Sequence, residues 1–284
     1  MRVLLIGKNS YIGEHIRDYL KSFNHQVEEF DAEHEDLTEE TFSGFDSVIH
    51  LAAIVHRKDI TDYSIYKKVN VVLPVTAASL AKKSGIKQFV FFSTMAVYNG
   101  GKALEGNIVD CNTECIPETF YGKSKLEAEL ALHELESDDF KIAYIRPANV
   151  YGKNCRGAYI SSFAKIVKLL PIIPDAYQDV KQGMLYIDNL SELVRLIVEK
   201  NGAGIFPAQD NPAVSSVEIM EAMSSALNLN KKKSKLLGVP FKLFKIGMVN
   251  KLYGGISYAK EYSETELGSY NKISFEESMK ITLS

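Results

Sequence analysis

Cysteine is scarce in this chain. Three occur in 284 residues, Cys111, Cys115 and Cys155, and none stands at metal-ligand spacing from a histidine. Free thiols in a reducing compartment are the expectation, hence a cytoplasmic protein without a bound metal. His50 reads as a strand-end residue and His56 as part of a loop over the site, rather than as ligands. Long apolar runs are also missing, so no segment is expected to span a bilayer. The N-terminus runs straight into an apolar strand and a glycine turn, without the cleavage-site pattern of a secretory signal. Nor is one sign of charge in excess. With 33 basic and 36 acidic side chains the net charge is −3, which leaves no broad cationic field for nucleic acid. The densest basic run, Lys231-Lys-Lys-Ser-Lys235, reads as a solvated loop. No internal repeat or low-complexity tract is visible. What remains is ordinary globular composition, 46% hydrophobic and 24% charged, long enough to bury a full core.

The first residues have a recognisable order. Arg2-Val-Leu-Leu-Ile6 reads as a buried strand, Gly7-Lys-Asn-Ser10-Tyr11-Ile12-Gly13 as a tight turn, and the amphipathic run to Ser22 as a helix. A strand, a glycine turn and a helix N-terminus aim backbone N–H groups at a point where a pyrophosphate can sit. Gly7 permits the sharp turn and Gly13 a close helix-to-strand approach. Ser10 stands where the middle glycine of such loops is usual, and its backbone can approach a phosphate if its φ is negative. Gln26-Val-Glu-Glu-Phe30 is a second strand, ending at Asp31. A carboxylate at that distance accepts both ribose hydroxyls of an adenosine and repels a 2′-phosphate, so NAD is favoured over NADP. Lys8 argues the other way, since a cation there could meet that phosphate.

Three later segments repeat the pattern: Ser47 to Ala53, Phe89 to Thr94 and Ile142 to Pro147, separated by helical patterns over Tyr63–Ser84 and Tyr121–Leu135. Strands alternating with helices predict an α/β fold, a doubly wound parallel sheet of the Rossmann type. Ligands in such sheets bind beyond the carboxyl ends of the strands, where Asp31, Ala52, Thr94 and Pro147 fall. Tyr121-Gly-Lys-Ser-Lys125 puts a phenol and an ammonium on one helix face. A cation beside a phenol favours the phenolate, so the spacing predicts a general acid/base whose pKa lies below the usual ~10.

Taken together, these residues make the chain resemble the extended short-chain dehydrogenase/reductase family. The likeness lies in the Gly7/Gly13 loop, Asp31, Asp36-Leu37, His50-Leu51-Ala52-Ala53, Asn70, Ser93-Thr94, Tyr121/Lys125 and Arg146-Pro147-Ala-Asn149-Val150-Tyr-Gly152, with Met184 to Leu190 beyond them. It is closest in pattern to UDP-galactose 4-epimerase and related nucleotide-sugar 4-ketoreductases. The resemblance implies roles. Thr94, Tyr121 and Lys125 are catalytic, with Thr94 on the reacting oxygen, Tyr121 as acid/base and Lys125 on the nicotinamide ribose. Gly7, Ser10, Tyr11, Ile12, Gly13, Asp31, Asp36, Leu37, Leu51, Ala52, Ala53, Asn70, Pro147 and Val150 line the cofactor. Asn149 lies near the sugar or its phosphates. Gln182 stands where relatives place an arginine on the diphosphate, and Lys181 beside it could supply the missing charge. Met95 and Ala96 replace the Asp-Glu pair of the family's 4,6-dehydratases, which argues against water elimination. Hydride transfer at a sugar carbon remains, as an epimerase or a ketoreductase. A cofactor-sensing protein without chemistry would be expected to lose Tyr121 or Lys125, and both are present.

The alternation breaks after Gly152. The division expected is 1–152 for the cofactor and 153–284 for a smaller substrate lobe, with 184–208 returning to the main sheet. Within it the patterns predict helices over Tyr159–Leu170 and Leu190–Glu199, strands over Met184–Ile187 and Ile205–Ala208, and a helix from Ser215 to Leu227 with Glu218 closing a capping box. Leu126, Leu130 and Leu135 give the Tyr121 helix an apolar outer side, and relatives pair such helices into a homodimer. Val239 to Tyr253 is apolar with scattered lysines. It reads as a helix packed on the lobe or as an interfacial segment suited to a lipid-linked sugar.

Overall fold

The computed structural model describes residues 1–55, 59–98, 104–155, 158–243 and 247–284. His56 lies outside the described residues. Six strands form one parallel sheet: β1 (Arg2–Ile6), β2 (Gln26–Phe30), β3 (Ser47–His50), β4 (Gln88–Phe92), β5 (Lys141–Pro147) and β6 (Gly204–Ala208). Their order is β2-β1-β3-β4-β5-β6, and every pairing is parallel. The chain leaves β1 in one direction for β2 and returns to its other side for β3. Such a reversal opens a crevice at the carboxyl ends of the two strands.

Helices cover both faces. α1 (Tyr11–Ser22) follows β1. Between β3 and β4 the chain forms α2 (Tyr63–Lys67), a π-turn (Lys68–Val72) and α3 (Leu73–Lys83). Next come α4 (Phe120–His133), α5 (Ala158–Leu169), α6 (Ile187–Glu199) and α7 (Ser216–Ala226). Ser215 and Glu218 close the expected capping box on α7. The inner strands β1, β3, β4 and β5 are buried along most of their length because both faces are covered, whereas edge strand β2 exposes Gln26 and Glu28. Val3, Leu5, Ile49, Val90 and Ile145 pack in one cluster with Ile16 and Leu20 of α1 and Leu190, Val194 and Ile197 of α6. Leu4, Ile6, Val48, Phe89 and Ile142 pack in another with Ala77, Ala81, Ala128 and Leu132 of α3 and α4.

Three expectations need correction. The strand expected over Ser47–Ala53 ends at His50, because the Leu51 and Ala52 N–H groups both turn to the Ile6 carbonyl, at 2.8 and 3.0 Å. Met184–Tyr186 pairs with Asn149–Tyr151 as a separate two-stranded unit, so of the segment 184–208 only β6 enters the main sheet. α6 begins at Ile187 rather than Leu190. The buried Asp210 carboxylate draws the helix start there, accepting from the Tyr186 N–H at 2.8 Å and from Asn189 Nδ2 at 2.8 Å.

Candidate active site

The crevice between β1 and β3 is built around Gly7. Its φ is +127°, and a Cβ there would stand 2.8 Å from the Ala52 nitrogen and 3.2 Å from the Leu51 carbonyl carbon. Only glycine lets these two strand ends approach so closely. Ser10 has a φ of −89° and caps α1, accepting from the Gly13 N–H at 3.1 Å. Its hydroxyl proton goes to the Gly7 carbonyl at 3.1 Å. Among the described residues that leaves the Tyr11 and Ile12 N–H groups as the open donors of the first turn. A Cβ on Gly13 would sit 2.6 Å from Ser10 Oγ, so the loop and helix are locked together. Backbone donors on a helix N-terminus, in a cradle that a side chain would fill, fit a dinucleotide pyrophosphate.

Asp31 lies just past β2. It accepts from His34 Nδ1 at 3.1 Å and from the Glu33 N–H at 3.2 Å. Desolvation works to raise its pKa, but these bonds and nearby Lys8 hold it below the ordinary carboxylate range. Leu37 packs on the α3 side of the sheet, whereas Asp36 is exposed. On the other side of the crevice, Leu51, Ala52 and Ala53 are partly buried. Asn70, carried inward by the π-turn, holds the next residue by its backbone. It accepts from the Ile54 N–H at 2.8 Å and donates to the Ile54 carbonyl at 2.9 Å. It also donates to Ser124 Oγ at 2.9 Å, and Ser124 donates to the Tyr121 carbonyl at 2.9 Å. One buried amide thus ties the β3 loop to the helix that bears the tyrosine.

α4 is seated by Thr119, which caps it through the Gly122 N–H at 3.1 Å. A Cβ on Gly122 would come within 2.3 Å of the Ala96 carbonyl oxygen, so the helix lies directly on the turn after Thr94. That closeness brings the partly buried Tyr121 hydroxyl into a hydrogen bond with Thr94. Lys125 is 1% exposed. Its Nζ donates to the Phe92 carbonyl at 2.7 Å and lies 4.5 Å above the Phe91 ring. Burial pulls its pKa down to about 7, while Glu129 opposes the drop. Burial pushes Tyr121 up to about 12, against the Thr94 bond that favours the phenolate. This reverses the expectation of a lowered phenol: desolvation outweighs the Thr94 bond, and the Lys125 ammonium is directed to the Phe92 carbonyl. His50 lies beneath this group, fully buried, with no hydrogen-bond partner on either ring nitrogen among the described residues. Burial and the Lys125 charge bring its pKa down to about 3, so the ring is neutral.

Behind Lys125 lies a buried ion pair. Glu129 receives Arg146 Nε at 3.0 Å and Nη2 at 2.5 Å, together with the Ser93 hydroxyl. Arg146 also donates to the Tyr98 hydroxyl at 2.5 Å, and that hydroxyl meets Tyr262 at 3.1 Å. Arg146 opens a motif already quoted and Glu129 lies on the helix expected over Tyr121–Leu135, but their pairing is a tertiary fact. The available signal was spacing: Tyr121, Lys125 and Glu129 recur every four residues on one helix face.

The substrate-side candidates are arranged less openly. Pro147 ends β5 in register with Ala208, and Val150 pairs with Leu185. Asn149 is tied down, its N–H and Nδ2 both reaching the Gly183 carbonyl at 3.3 and 3.1 Å. Gln182 is buried, with Tyr159 donating to its Oε1 and its Nε2 donating to Ser216 Oγ at 2.9 Å. Lys181 is paired with Glu218 at 2.7 Å. The side chains expected to face a diphosphate therefore hold α5 and α7 in place. Among the described residues no group of three or more His, Cys, Asp or Glu could hold a metal ion, and no helix is long and apolar enough to cross a membrane.

Residues 3–204 match the NAD dependent epimerase/dehydratase family, well over half of the 284-residue chain. The chain belongs to this family. A UDP-glucose 4-epimerase of Vibrio cholerae is 31% identical over 239 residues, 78% of this chain and 70% of the relative. An N-acetyl-alpha-D-glucosaminyl-diphospho-ditrans,octacis-undecaprenol 4-epimerase of Escherichia coli O157:H7 is 27% identical over 264 residues, 86% of this chain and 77% of the relative. The solved UDP-N-acetylglucosamine 4-epimerase from Bacillus cereus has a TM-score of 0.77 at 17% identity, covering 100% of this chain and 98% of that one, and so shares its fold. Membership bears out the resemblance carried by the Gly7 loop and the Tyr121/Lys125 pair. It makes the epimerase/dehydratase chemistry NAD-dependent, in agreement with the Gly7 cradle.

Proposed function

We propose that this family member is an NAD-dependent epimerase of an activated hexose, acting at carbon 4 through a keto intermediate. One observation carries the reading. The Thr94–Tyr121 pair and the buried Lys125 are joined through Ser124 and Asn70 to the loop that lines the Gly7 cradle. Two curated relatives named as 4-epimerases support the carbon assignment. The Tyr11 and Ile12 N–H groups would hold the pyrophosphate, Asp31 the adenosine ribose and Lys125 the nicotinamide ribose. Bound there, NAD supplies a reversible hydride acceptor. Thr94 holds the substrate oxygen, and Tyr121 takes the proton from the hydroxyl and later returns it. The burial that raises Tyr121 makes a phenolate depend on positive charge arriving with the cofactor. The substrate is a nucleotide-linked or lipid-diphosphate-linked sugar of surface polysaccharide synthesis, handled in the cytoplasm. Of the apolar side expected on α4, Leu126 and Leu135 are partly buried against the core, and exposed Leu130 and Phe120 with Ile65 of α2 and Val72 of the π-turn offer the dimer face.

The test is turnover of UDP-glucose, UDP-N-acetylglucosamine and an undecaprenyl-diphosphate N-acetylhexosamine without added nicotinamide, with products read by NMR. The native protein should invert one centre. Tyr121→Phe should keep NAD and lose activity by about a thousandfold. A stoichiometric need for NADH or NADPH would instead identify a 4-ketoreductase, and full activity in Tyr121→Phe would remove the assignment.

A further inference from the structure

α8 (Lys235–Leu243) has two unlike faces. Its inner face is satisfied. Gly238 is buried on the Asp175 carbonyl, where a Cβ would stand 2.0 Å from the oxygen. Phe241 packs on Tyr253 at 5.6 Å between ring centroids, and its carbonyl accepts from the Tyr177 hydroxyl at 3.1 Å. Its outer face carries Leu236, Val239 and Leu243 at helical spacing, with Leu236 79% and Leu243 70% exposed. α9 (Gly247–Tyr253) turns back into the core through Val249 and Tyr253. The tract expected as one element over Val239–Tyr253 is thus divided between α8 and α9, residues 244–246 lying outside the described residues, and the outer stripe of α8 has no partner among the described residues.

The stretch of sequence that carries the stripe is cationic. Residues 222–260 contain eight lysines and no Asp or Glu, in a chain whose net charge is −3. Lys231 reaches the carbonyls at the end of α5, Val167 at 2.6 Å and Lys168 at 3.2 Å. That contact sets Leu169, 83% exposed, and Lys168 beside the same loop. Lys233 is paired with Glu221, while Lys232, Lys235 and Lys242 are exposed. A cleft of about 700 Å³ opens next to α8, lined by Tyr177, Val239, Lys235 and Lys242 together with Glu105 and Asp179.

We propose that α8 and the adjoining end of α5 dock on an anionic lipid bilayer, with Leu236, Leu243 and Leu169 entering the interface and the lysines on the headgroups. The chemistry selects this occupant. Exposed leucines within a lysine field suit acyl chains beneath phosphate headgroups. A second copy docking by the same face would set lysine against lysine. Delivery of a lipid-linked sugar to the Tyr121 site rests on the epimerase reading, whereas the docking itself does not.

The experiment is co-sedimentation of the full chain, without substrate, with phosphatidylcholine vesicles containing or lacking phosphatidylglycerol. Binding should require the anionic lipid and weaken with salt. Leu236→Ser with Leu243→Ser should lower partitioning about tenfold. Lys168→Gln and Lys232→Gln should each lower it about fivefold at low salt. All should melt like the native protein and turn over a water-soluble nucleotide sugar unchanged. Absent binding to anionic vesicles at low salt, or equal binding by the leucine variant, overturns the proposal. So does a leucine variant whose only change is dissociation of a dimer. A protein that binds vesicles but epimerises nothing keeps the docking and sinks only the epimerase reading.

Discussion

Glu129→Gln is the most revealing single change. The Glu129 and Arg146 side chains are 7% and 5% exposed, so neither charge has water to fall back on. The carboxylate accepts three donors, two from Arg146 and one from Ser93. A glutamine keeps one acceptor and turns an N–H₂ toward groups that are themselves donors. Breaking a buried pair from one side typically costs ~3–5 kcal/mol. At ~2–4 °C per kcal/mol for a large domain, the melting temperature should fall by roughly 10 °C. There is a second effect one helical turn away. Glu129 is what opposes the burial-driven fall of the Lys125 pKa, so its loss should move that pKa below about 7. Circular dichroism melts measure the first effect, and the pH dependence of NAD binding the second, whose ammonium-dependent part should move to lower pH. The double replacement Glu129→Leu with Arg146→Met should recover much of the stability, because no lone charge is left buried. A single variant that melts within a degree or two of the native protein would refute this reasoning. So would a double variant no better than the single.

Two further outcomes follow from the same structure. Lys125 has a folded pKa near 7, below its ordinary 10.5, so the unfolded chain binds the extra proton between those values and stability rises with pH across that window. Urea unfolding without cofactor should therefore show the native protein gaining ~2 kcal/mol over Lys125→Met between pH 7 and 9, and parallel curves would contradict it. Leu130, 65% exposed on α4, should convert a dimer to a monomer when changed to Glu, as read by sedimentation velocity. A dimer that survives the change would move the interface elsewhere.

The sheet was largely legible because local signals agreed. Arg2–Ile6 is a short apolar run ended by Gly7, Gln26–Phe30 alternates up to Asp31, and their boundaries fall where the pattern put them, as does the Gly7–Gly13 turn. The Ser215/Glu218 box is equally local. What escaped depended on distant partners. Asp210 advances the start of α6, Ser216 and Tyr159 engage Gln182, and Phe92 receives the Lys125 ammonium. The π-turn at Lys68–Val72, which aims Asn70 inward, has no periodic signature in a helix that otherwise runs from Tyr63 to Lys83. The raised Tyr121 pKa is the clearest case. Spacing shows a cation within reach of a phenol but not that the ammonium is sealed from solvent and directed to a backbone carbonyl.

The larger of the two sheet-flanking clusters does not stop at the nucleotide half. It runs from Val3 and Leu5 through α6 to Met220 of α7 and Met279 near the C-terminus. Side chains interlocked at crystal-like density resist hinging. Opening of the Gly7–Tyr121 crevice is then expected to come from surface segments rather than from two bodies swinging apart. Heat or urea should accordingly dismantle both halves in one step.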